Sequence, residues 1–257
     1  MIFQKRDGIS FFQFPKLAAL SDVQHAVFTR HCGYSSEPFK SLNVSFGVGD
    51  VPRNVNQNLS VVSKCMDAGD LVSANQVHGT EVLIFSENSF VGLSENSALP
   101  FVGDALVTDI SKKNLVVKVA DCQSVLLYDP VRQVVANVHC GWRGSIKNIV
   151  GHTIRVMEKQ FSCNPGNIVA GIGPSLGPCC AEFINYKSEI PRALWGYKDG
   201  SNHFDFWSLS LDQLCNAGVL SENIDLSEIC TKCNTERFFS FRGEGTTGRF
   251  AVAIGLK

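Results

Sequence analysis

The sequence lacks the segments that mark a membrane or secreted protein. It contains no apolar run of about eighteen residues, the length that a membrane-spanning helix needs. Residues 1–20 have neither a continuous apolar core nor a small-residue cleavage site, and Lys5 and Arg6 interrupt them. We therefore expect a cytoplasmic protein with no membrane partner.

Two further absences concern charge and domain structure. Lysine and arginine total 23 against 24 for aspartate and glutamate, and no basic run occurs, so charge gives no support to a nucleic-acid partner. A small molecule is the expected partner. No linker, repeat or segment of low complexity interrupts the chain, and 257 residues suffice to bury a large core. We therefore predict one domain over residues 1–257.

Cysteine, by contrast, is abundant, with ten residues. In a reducing compartment cysteines serve as thiols and metal ligands rather than as a disulfide framework. A bridge between the adjacent Cys179 and Cys180 would be strained. Cys230 and Cys233 form a lone CxxC pair, and without a second pair they give little support to a structural zinc site.

The stretch 134–161 organises the predicted fold. Residues 133–138 are apolar and β-branched, which predicts a buried strand that ends at His139. Apolar residues then recur at intervals of three and four from Ile146 to Phe161, which predicts one amphipathic helix. A strand, a glycine-rich turn and a helix place polar side chains where open α/β sheets usually bind ligands. His139 therefore lies where chemistry is expected.

The remaining pattern predicts a mixed sheet. Residues 115–139 contain three consecutive apolar runs, which we interpret as a meander of strands, and this excludes a purely alternating βαβ fold. The predicted fold class is α/β, with a mixed sheet flanked by helices. We also predict a helix after Pro52, a surface loop over 86–100, a helix from Ala181 and a final hairpin that turns at 243–245.

Three segments share one design, in which an apolar strand runs into a metal-capable side chain and then a turn. The side chains are His78, Cys122 and His139. If the strand ends meet, two imidazoles and one thiolate suit a four-coordinate zinc with one position open for water or substrate. The wide spacing belongs to no short local motif, so separate core or hydrogen-bonded residues remain the alternative.

Motifs surround these side chains: QVHG at 76–79, ADC at 120–122 and HCGWRG at 139–144. Further motifs run through nearly the whole chain, among them TRH at 29–31, SLN at 41–43, GDA at 103–105, GIGP at 171–174 and TGR at 247–249. Together they resemble the YfiH-like family. Its members have been called laccase-domain proteins, polyphenol oxidases and peptidoglycan editing factors, and are described as purine nucleoside phosphorylases with adenosine deaminase activity.

The resemblance implies that His78, Cys122 and His139 bind zinc. It implies layered mixed β-sheets with helices, in a fold related to that of some cysteine hydrolases. It also implies phosphorolysis of adenosine, inosine, guanosine and methylthioadenosine, and hydrolytic deamination of adenosine, with purine nucleosides and phosphate as partners. Zinc lowers the pKa of a bound water, which would give the nucleophile for C6 of adenine.

Three positions depart from the family pattern. Cys140 stands where the family usually has alanine, Ser124 where it has proline, and Leu59 where it has arginine. Neighbours on a strand point to opposite faces, so we expect Cys140 to be an inert neighbour of His139. The arginine missing at Leu59 removes a cation, and we expect a difference in substrate preference.

Five residues are the candidate catalytic and substrate-binding groups: His31, Asn43, Asp121, Arg242 and Arg249. His31 resembles an early histidine of the family, as an acid/base or a support for a ligand. Asn43 and Asp121 are candidate contacts to the nucleoside, and Asp121 could also orient a ligand or accept a proton.

Phosphate requires a cationic or amide-lined subsite. Arg242 and Arg249, with Arg30 and Arg143 as further candidates, can bind phosphate bidentately unless they form surface salt bridges. Residues 171–177 could hold an anion on backbone amides at the start of the following helix, but they lack the Lys-Ser/Thr of a P-loop.

Other functions remain open. A copper oxidase needs His-x-His pairs, and none of the six histidines is so paired, which argues against copper. A hydrolase that edits peptidoglycan precursors could use Cys122 as nucleophile and a histidine as base, although Cys122 cannot easily be both a zinc ligand and a free nucleophile. A binding role without catalysis is the third alternative.

Overall fold

The computed structural model describes residues 1–67, 69–86, 89–91 and 101–257. The strands of these ranges are β1 (Ile2–Arg6), β2 (Ile9–Gln13), β3 (Val23–Phe28), β4 (Asp70–Val72), β5 (Val82–Ser86), β6 (Ser89–Val91), β7 (Ala105–Thr108), β8 (Lys113–Val119), β9 (Gln123–Asp129), β10 (Val134–Cys140), β11 (Val169–Ile172), β12 (Ile224–Leu226) and β13 (Phe250–Leu256). The helices are α1 (Pro15–Ala18), α2 (Pro52–Cys65), α3 (Trp142–Ile146), α4 (Ile149–Phe161), α5 (Tyr186–Glu189), α6 (Phe206–Asn216) and α7 (Phe241–Glu244). Short 3₁₀ segments lie at Phe46–Val48, Pro165–Asn167, Arg192–Tyr197, Ser221–Asn223 and Lys232–Asn234. No helix in the described ranges combines the length and the apolar character needed to span a membrane.

The strands form two sheets. One has the order β1-β2-β3-β13-β8-β4 and the other has the order β12-β11-β9-β10-β7-β5-β6. Most neighbours are antiparallel, but β4 pairs with β8, β5 with β7 and β11 with β12 in parallel. Both sheets are therefore mixed, which confirms the predicted α/β class of layered mixed sheets flanked by helices.

The two sheets pack face to face, and helices cover their outer faces. In β13, Phe250 and Val252 belong to the apolar cluster between the sheets, whereas Ala251 and Ala253 belong to the cluster that includes Val62 of α2. On the far side, α4 and α6 cover the sheet that contains β10. Because the central strands are buried on both faces, their sequences are continuous apolar runs rather than alternating ones.

Strand β10 separates two chemically different faces. Val135 belongs to the cluster between the sheets, whereas Val138 and Cys140 belong to the cluster under α4. His139 lies on the same face as Val135 because side chains alternate along a strand. The alternation therefore places the Cys140 side chain on the helix side, away from that of His139.

Two helices follow β10 where the apolar spacing predicts one. α3 ends at Ile146 and α4 begins at Ile149. Between them Asn148 has a φ of 58° and its side chain accepts a hydrogen bond from the Gly151 amide, so Asn148 caps the second helix. The apolar spacing continues across the break, which is why periodicity does not reveal it.

The predicted meander over 115–139 is wrong in its first strand. β9 and β10 form an antiparallel pair, but β8 lies in the other sheet, between β13 and β4. The chain crosses from one sheet to the other at 120–122, where Asp121 has a φ of 81°. This crossing carries Cys122 to the boundary between the sheets.

Of four further predictions from the sequence, the structure confirms one helix. The helix after Pro52 is confirmed by α2. The final hairpin is wrong, because residues 241–244 form α7 and β13 pairs with β3 and β8. The helix predicted from Ala181 is wrong, because no helix covers residues 181–185 and α5 begins only at Tyr186. The loop predicted over 86–100 is contradicted by the end of β5 and by β6, and its residues 87–88 and 92–100 lie outside the described ranges.

A buried amide joins the two sheets at their centre. Asn137 of β10 donates from Nδ2 to the carbonyl oxygens of Leu115 (2.9 Å) and Val252 (2.8 Å) in the opposite sheet. Its Oδ1 accepts a 2.8 Å hydrogen bond from the Ser124 hydroxyl. Asn137 and Ser124 are fully buried. Ser124, which stands where the family usually has proline, thus completes a polar network that a proline could not make.

We expect Asn137→Ala to lower the free energy of unfolding by about 2–4 kcal/mol, because it leaves a buried hydroxyl and two inter-sheet carbonyls without their partner. Ser124→Ala removes one hydrogen bond from the same network and should cost about 1 kcal/mol. Urea unfolding followed by circular dichroism measures both values. A loss below about 0.5 kcal/mol for Asn137→Ala would contradict the stabilising role of this network.

Candidate metal centre and pocket

Three side chains meet at the boundary between the sheets. His78 lies in the loop between β4 and β5, Cys122 directly precedes β9, and His139 is near the end of β10. Their ligand atoms all lie within 4.8 Å of one another, and Cys122 Sγ is 3.5 Å from His78 Nε2. A tetrahedral zinc, with a Zn–S distance of about 2.3 Å and a Zn–N distance of about 2.0–2.1 Å, would place sulfur and nitrogen about 3.6 Å apart. The group therefore has the dimensions of a mononuclear metal site.

The carboxylate of Asp104 fixes two of these side chains. It accepts a 2.8 Å hydrogen bond from His139 Nδ1, and it also accepts the backbone amides of His78 (2.8 Å) and Gly79 (2.7 Å). The bond to Nδ1 leaves His139 Nε2 to face the other two ligand atoms. Burial alone would raise the pKa of Asp104, but the hydrogen bonds from His139 and from these amides hold it below its usual value.

Glycine at 141 is required by the packing of His78. A Cβ on Gly141 would lie 2.3 Å from His78 Cδ2, so any side chain there would displace the imidazole. His78 itself has a φ of 61°, in the left-handed region. Gly141 of the HCGWRG motif therefore leaves room for the imidazole of His78, a candidate ligand from a distant loop.

Cys122 and His139 stabilise each other's charged forms. Burial opposes ionisation of the Cys122 thiol, but His139 and His78 lower its pKa below the usual range. Burial likewise disfavours the charged imidazole, but the Cys122 thiolate and Asp104 raise the pKa of His139. A thiolate and a correctly oriented imidazole are the ligand forms that a divalent metal needs, since the metal replaces the proton between them.

A cavity of about 990 Å³ opens over this group. Its volume is at the upper end of the range of small-molecule sites, about 300–1,000 Å³. Aromatic rings form much of its wall: Phe46, Phe101, Trp142, Phe183, Phe206 and Phe241. Such rings offer flat apolar surfaces for a planar heterocycle.

Two arginines reach the cavity without a carboxylate partner among the described residues. Arg249 is half-buried and donates to the backbone carbonyl oxygens of Thr247 (3.0 Å) and Gly248 (2.9 Å). Burial lowers its pKa, while Cys122 and Asp121 act in the opposite direction. Arg242 is exposed and donates to the Glu182 carbonyl at 3.0 Å. Both guanidinium groups remain available to an anion.

Arg30 and Arg143 are placed differently. Arg30 forms a 2.7 Å ion pair with Glu244 and lies over the Phe239 ring, and Arg143 stacks on Trp142 at the surface. Neither lines the cavity. The anion cradle predicted over 171–177 is also wrong, because no helix follows directly and Gly171 is packed against Phe14.

Two of the predicted catalytic residues are instead bound within the protein. Asp121 accepts the hydroxyls of Thr231 (2.6 Å) and Ser240 (2.7 Å) and the amide of Arg242 (2.6 Å), although it borders the cavity. Asn43 is fully buried, accepts the Arg249 amide at 2.9 Å and donates to Asp50. These contacts position the two pocket arginines and occupy the Asn43 amide fully, whereas Asp121 still borders the cavity.

The structure does not bring His31 to the cavity. His31 is exposed and borders a separate, smaller pocket with Phe3, Phe12 and Arg237. Leu59 is half-buried in the cluster under α2, outside the lining of the main cavity. Cys140 is buried, and burial raises its thiol pKa.

Three residues in or beneath the cavity were given no role from the sequence. Asp104 precedes β7 directly, and only the pairing of β7 with β10 brings it under His139. Lys118 borders the cavity from β8 and donates to the Ala74 carbonyl at 3.0 Å. Gln123 is buried, accepts the Ser210 hydroxyl, and its Nε2 has no partner among the described residues. A polar residue inside an apolar strand, as at Lys118, was the available signal.

Curated proteins resemble this chain over most of its length. The purine nucleoside phosphorylase of Bacteroides thetaiotaomicron is 31% identical over 254 residues, which cover 94% of each chain. The purine nucleoside phosphorylase YfiH of Escherichia coli is 31% identical over 241 residues, which cover 89% of this chain and 91% of the relative.

Solved structures share the fold. YlmD of Geobacillus stearothermophilus matches with a TM-score of 0.85 and 28% identity, over 100% of this chain and 99% of that one. The YfiH protein of Bacillus licheniformis matches with a TM-score of 0.86 and 28% identity, over 99% of both chains. A family model described as multi-copper polyphenol oxidoreductase laccase matches residues 24–257. The resemblance to YfiH-like proteins is thereby confirmed, and the chain belongs to this laccase-like family.

Proposed function

We propose that residues 1–257 form one catalytic domain, a zinc-dependent purine nucleoside phosphorylase that also deaminates adenosine by hydrolysis. The proposed substrates are adenosine, inosine, guanosine and methylthioadenosine, with phosphate as the second substrate. One observation carries the proposal: His78, Cys122 and His139 converge in the same aromatic cavity that Arg249 borders. The names of the relatives, purine nucleoside phosphorylases, support the substrate class.

The donor set favours zinc over copper. His78, Cys122 and His139 provide three protein ligands, which is the number found in catalytic zinc sites that keep one position open. Multinuclear copper sites require additional histidines, and among the described residues no further histidine joins this group. When bound here, zinc would supply a Lewis acid and a water of lowered pKa.

The residues of the chain supply binding and orientation. The aromatic walls would hold the purine by stacking. Arg249, with Arg242 at the rim, would bind phosphate by charge-assisted hydrogen bonds. Asp104 would keep His139 in the tautomer and orientation that a metal ligand needs. The cavity thus has separate positions for base, anion and metal.

A second candidate rests on the same side chains used differently. Cys122, His139 and Asp104 form a thiol–imidazole–carboxylate series with a lowered thiol pKa, which is the arrangement of a cysteine hydrolase. In that case Cys122 would be a nucleophile that edits peptidoglycan precursors. Stable metal at Cys122 and a free thiolate are mutually exclusive, so the metal content separates the two functions.

The purified zinc-loaded chain should convert inosine to hypoxanthine only when phosphate is present. Adenosine should yield adenine with phosphate and inosine without it. Chromatography of products from adenosine, inosine, guanosine and methylthioadenosine, with and without phosphate, measures this. If zinc-loaded protein forms neither a free base nor inosine from these nucleosides, the proposed function is refuted. If metal-free protein instead hydrolyses a peptidoglycan precursor, and Cys122→Ala abolishes that activity, the hydrolase is favoured.

Asp104→Asn should weaken metal binding by about 10–100-fold, because the His139 ring loses the carboxylate that orients it and raises its basicity. Chelator competition measures the affinity directly and does not depend on turnover. Asp70→Asn is the matched control, since Asp70 pairs with Lys113 on the surface and should leave the affinity unchanged. Equal affinity in both variants would show that Asp104 does not position the ligand.

Arg249→Gln should raise the KM for phosphate by about 10–100-fold, as expected for the loss of hydrogen bonds to a charged group. Deamination of adenosine uses water instead of phosphate and should change much less. Arg237→Gln is the control, because Arg237 pairs with Glu236 outside the main cavity. If both reactions decline equally in Arg249→Gln, the arginine does not serve phosphate.

A further inference from the structure

Four cysteines gather at a second place outside the cavity described above. Cys179 and Cys180 lie in the turn after β11, and Cys230 and Cys233 flank the start of the 3₁₀ segment at 232–234. All four sulfur atoms lie within 4.8 Å of one another. The adjacent pair thus provides the partner that the lone CxxC motif lacks in the sequence.

The sulfur separations match a single tetrahedral ion. Cys179 Sγ is 3.7 Å and Cys180 Sγ is 3.5 Å from Cys233 Sγ. Four thiolates at about 2.3 Å from one zinc stand about 3.8 Å apart. A disulfide requires about 2.05 Å, and an iron–sulfur cluster interposes several atoms between its cysteines and spreads them further. The spacing therefore favours one mononuclear ion.

The backbone explains how two neighbouring cysteines can point to the same place. Along a strand they would point to opposite faces, but the amides of Cys180 and Ala181 both donate to the Gly177 carbonyl, at 2.9 and 3.0 Å. This tight turn brings both thiols to one side. The cluster is thus set by local hydrogen bonds of the loop and not by extended strand geometry.

The two cysteine segments are also held together independently of the thiols. Ser175 accepts the amide of Thr231 at 3.0 Å and donates its own amide to Ile229 at 3.2 Å, so the segments pair like short parallel strands. A Cβ on Gly177 would lie 3.1 Å from Cys230 Cβ and 2.7 Å from the Trp207 ring, so glycine permits this close approach. The site is therefore already assembled by the fold.

We propose that Cys179, Cys180, Cys230 and Cys233 bind one zinc ion as a second, structural metal site. Four protein thiolates complete a tetrahedral shell and leave no position for substrate, which is the composition of structural rather than catalytic zinc sites. It is distinct from the group of His78, Cys122 and His139, which mixes nitrogen and sulfur donors.

The site fastens one wall of the cavity. Thr231, between the two cysteines of the CxxC pair, donates its hydroxyl to Asp121, and Asp121 accepts the Arg242 amide. The Arg242 guanidinium in turn donates to the Cys180 and Glu182 carbonyls, at 3.4 and 3.0 Å. Zinc at the four thiolates would therefore fix the two segments that hold Arg242 at the rim.

The test is the metal content of protein purified under reducing conditions without chelator. We expect about two zinc ions per chain, and about one in Cys230→Ser/Cys233→Ser, because two thiolates cannot complete the shell. Cys215→Ser is the matched control, since Cys215 is an exposed cysteine outside the cluster and should leave the content unchanged. An unaltered zinc content in the double variant would overturn the proposal.

Cobalt substitution of Cys122→Ala tests the site without altering it. The expected result is one cobalt per chain with the sulfur-to-cobalt charge-transfer bands of four thiolates, and X-ray absorption should show sulfur neighbours only. Nitrogen neighbours or the absence of thiolate bands would overturn the proposal. The experiment distinguishes the two metal sites. If Cys122→Ala keeps the metal content of the unaltered chain, the metal role of His78, Cys122 and His139 is wrong, while the tetrathiolate site is unaffected.

Discussion

The candidate centre depends on the hydrogen bonds that converge on Asp104. One buried carboxylate receives the His139 ring from β10 and the amides of His78 and Gly79 from a loop more than twenty residues away. Removing that carboxylate would release both the His139 ring and the backbone of the loop that carries His78. The amides and the ring compensate the carboxylate for its burial, which is why a charged group is tolerated beneath the cavity.

Cys122, the third side chain, reaches the centre because of the way the two sheets are connected. β8 and β9 are consecutive in sequence but lie in different sheets, and Asp121 at the crossing adopts a left-handed φ that non-glycine residues rarely take. Hydrogen bonds from Thr231, Ser240 and Arg242 hold Asp121 there. The same crossing turns Cys122 toward the histidines. Asp121 thus positions the neighbouring Cys122, in addition to bordering the cavity.

The sequence was informative where a pattern is local and uninformative where pairing is distant. The strands around His139 and the helix after Pro52 follow from burial and periodicity, and the three candidate ligands follow from strand-end chemistry joined with family motifs. The sequence named Asp104 only within the GDA motif and considered Cys179 and Cys180 only as a disulfide. Their contacts were missed because their partners are far along the chain, and no spacing rule connects 104 with 139 or 180 with 233. The prediction of a final hairpin was wrong because the apolar Phe238 and Phe239 resemble part of a strand. They are apolar because they fill the space between the sheets.

The charge of the cavity explains why a cation at the first centre and Arg249 belong together. Without a metal, the Cys122 thiolate and the carboxylates of Asp104 and Asp121 carry three negative charges at or beneath this end of the cavity, and a protonated His139 offsets one of them, so the net charge does not attract phosphate. The Arg249 guanidinium offsets one negative charge, and burial lowers its pKa. A divalent ion held by one thiolate and two neutral imidazoles adds a net positive charge beside that arginine. With the proposed metal bound, its two charges and that of Arg249 would balance the three negative groups, so the proposed phosphate subsite would no longer face a net negative charge.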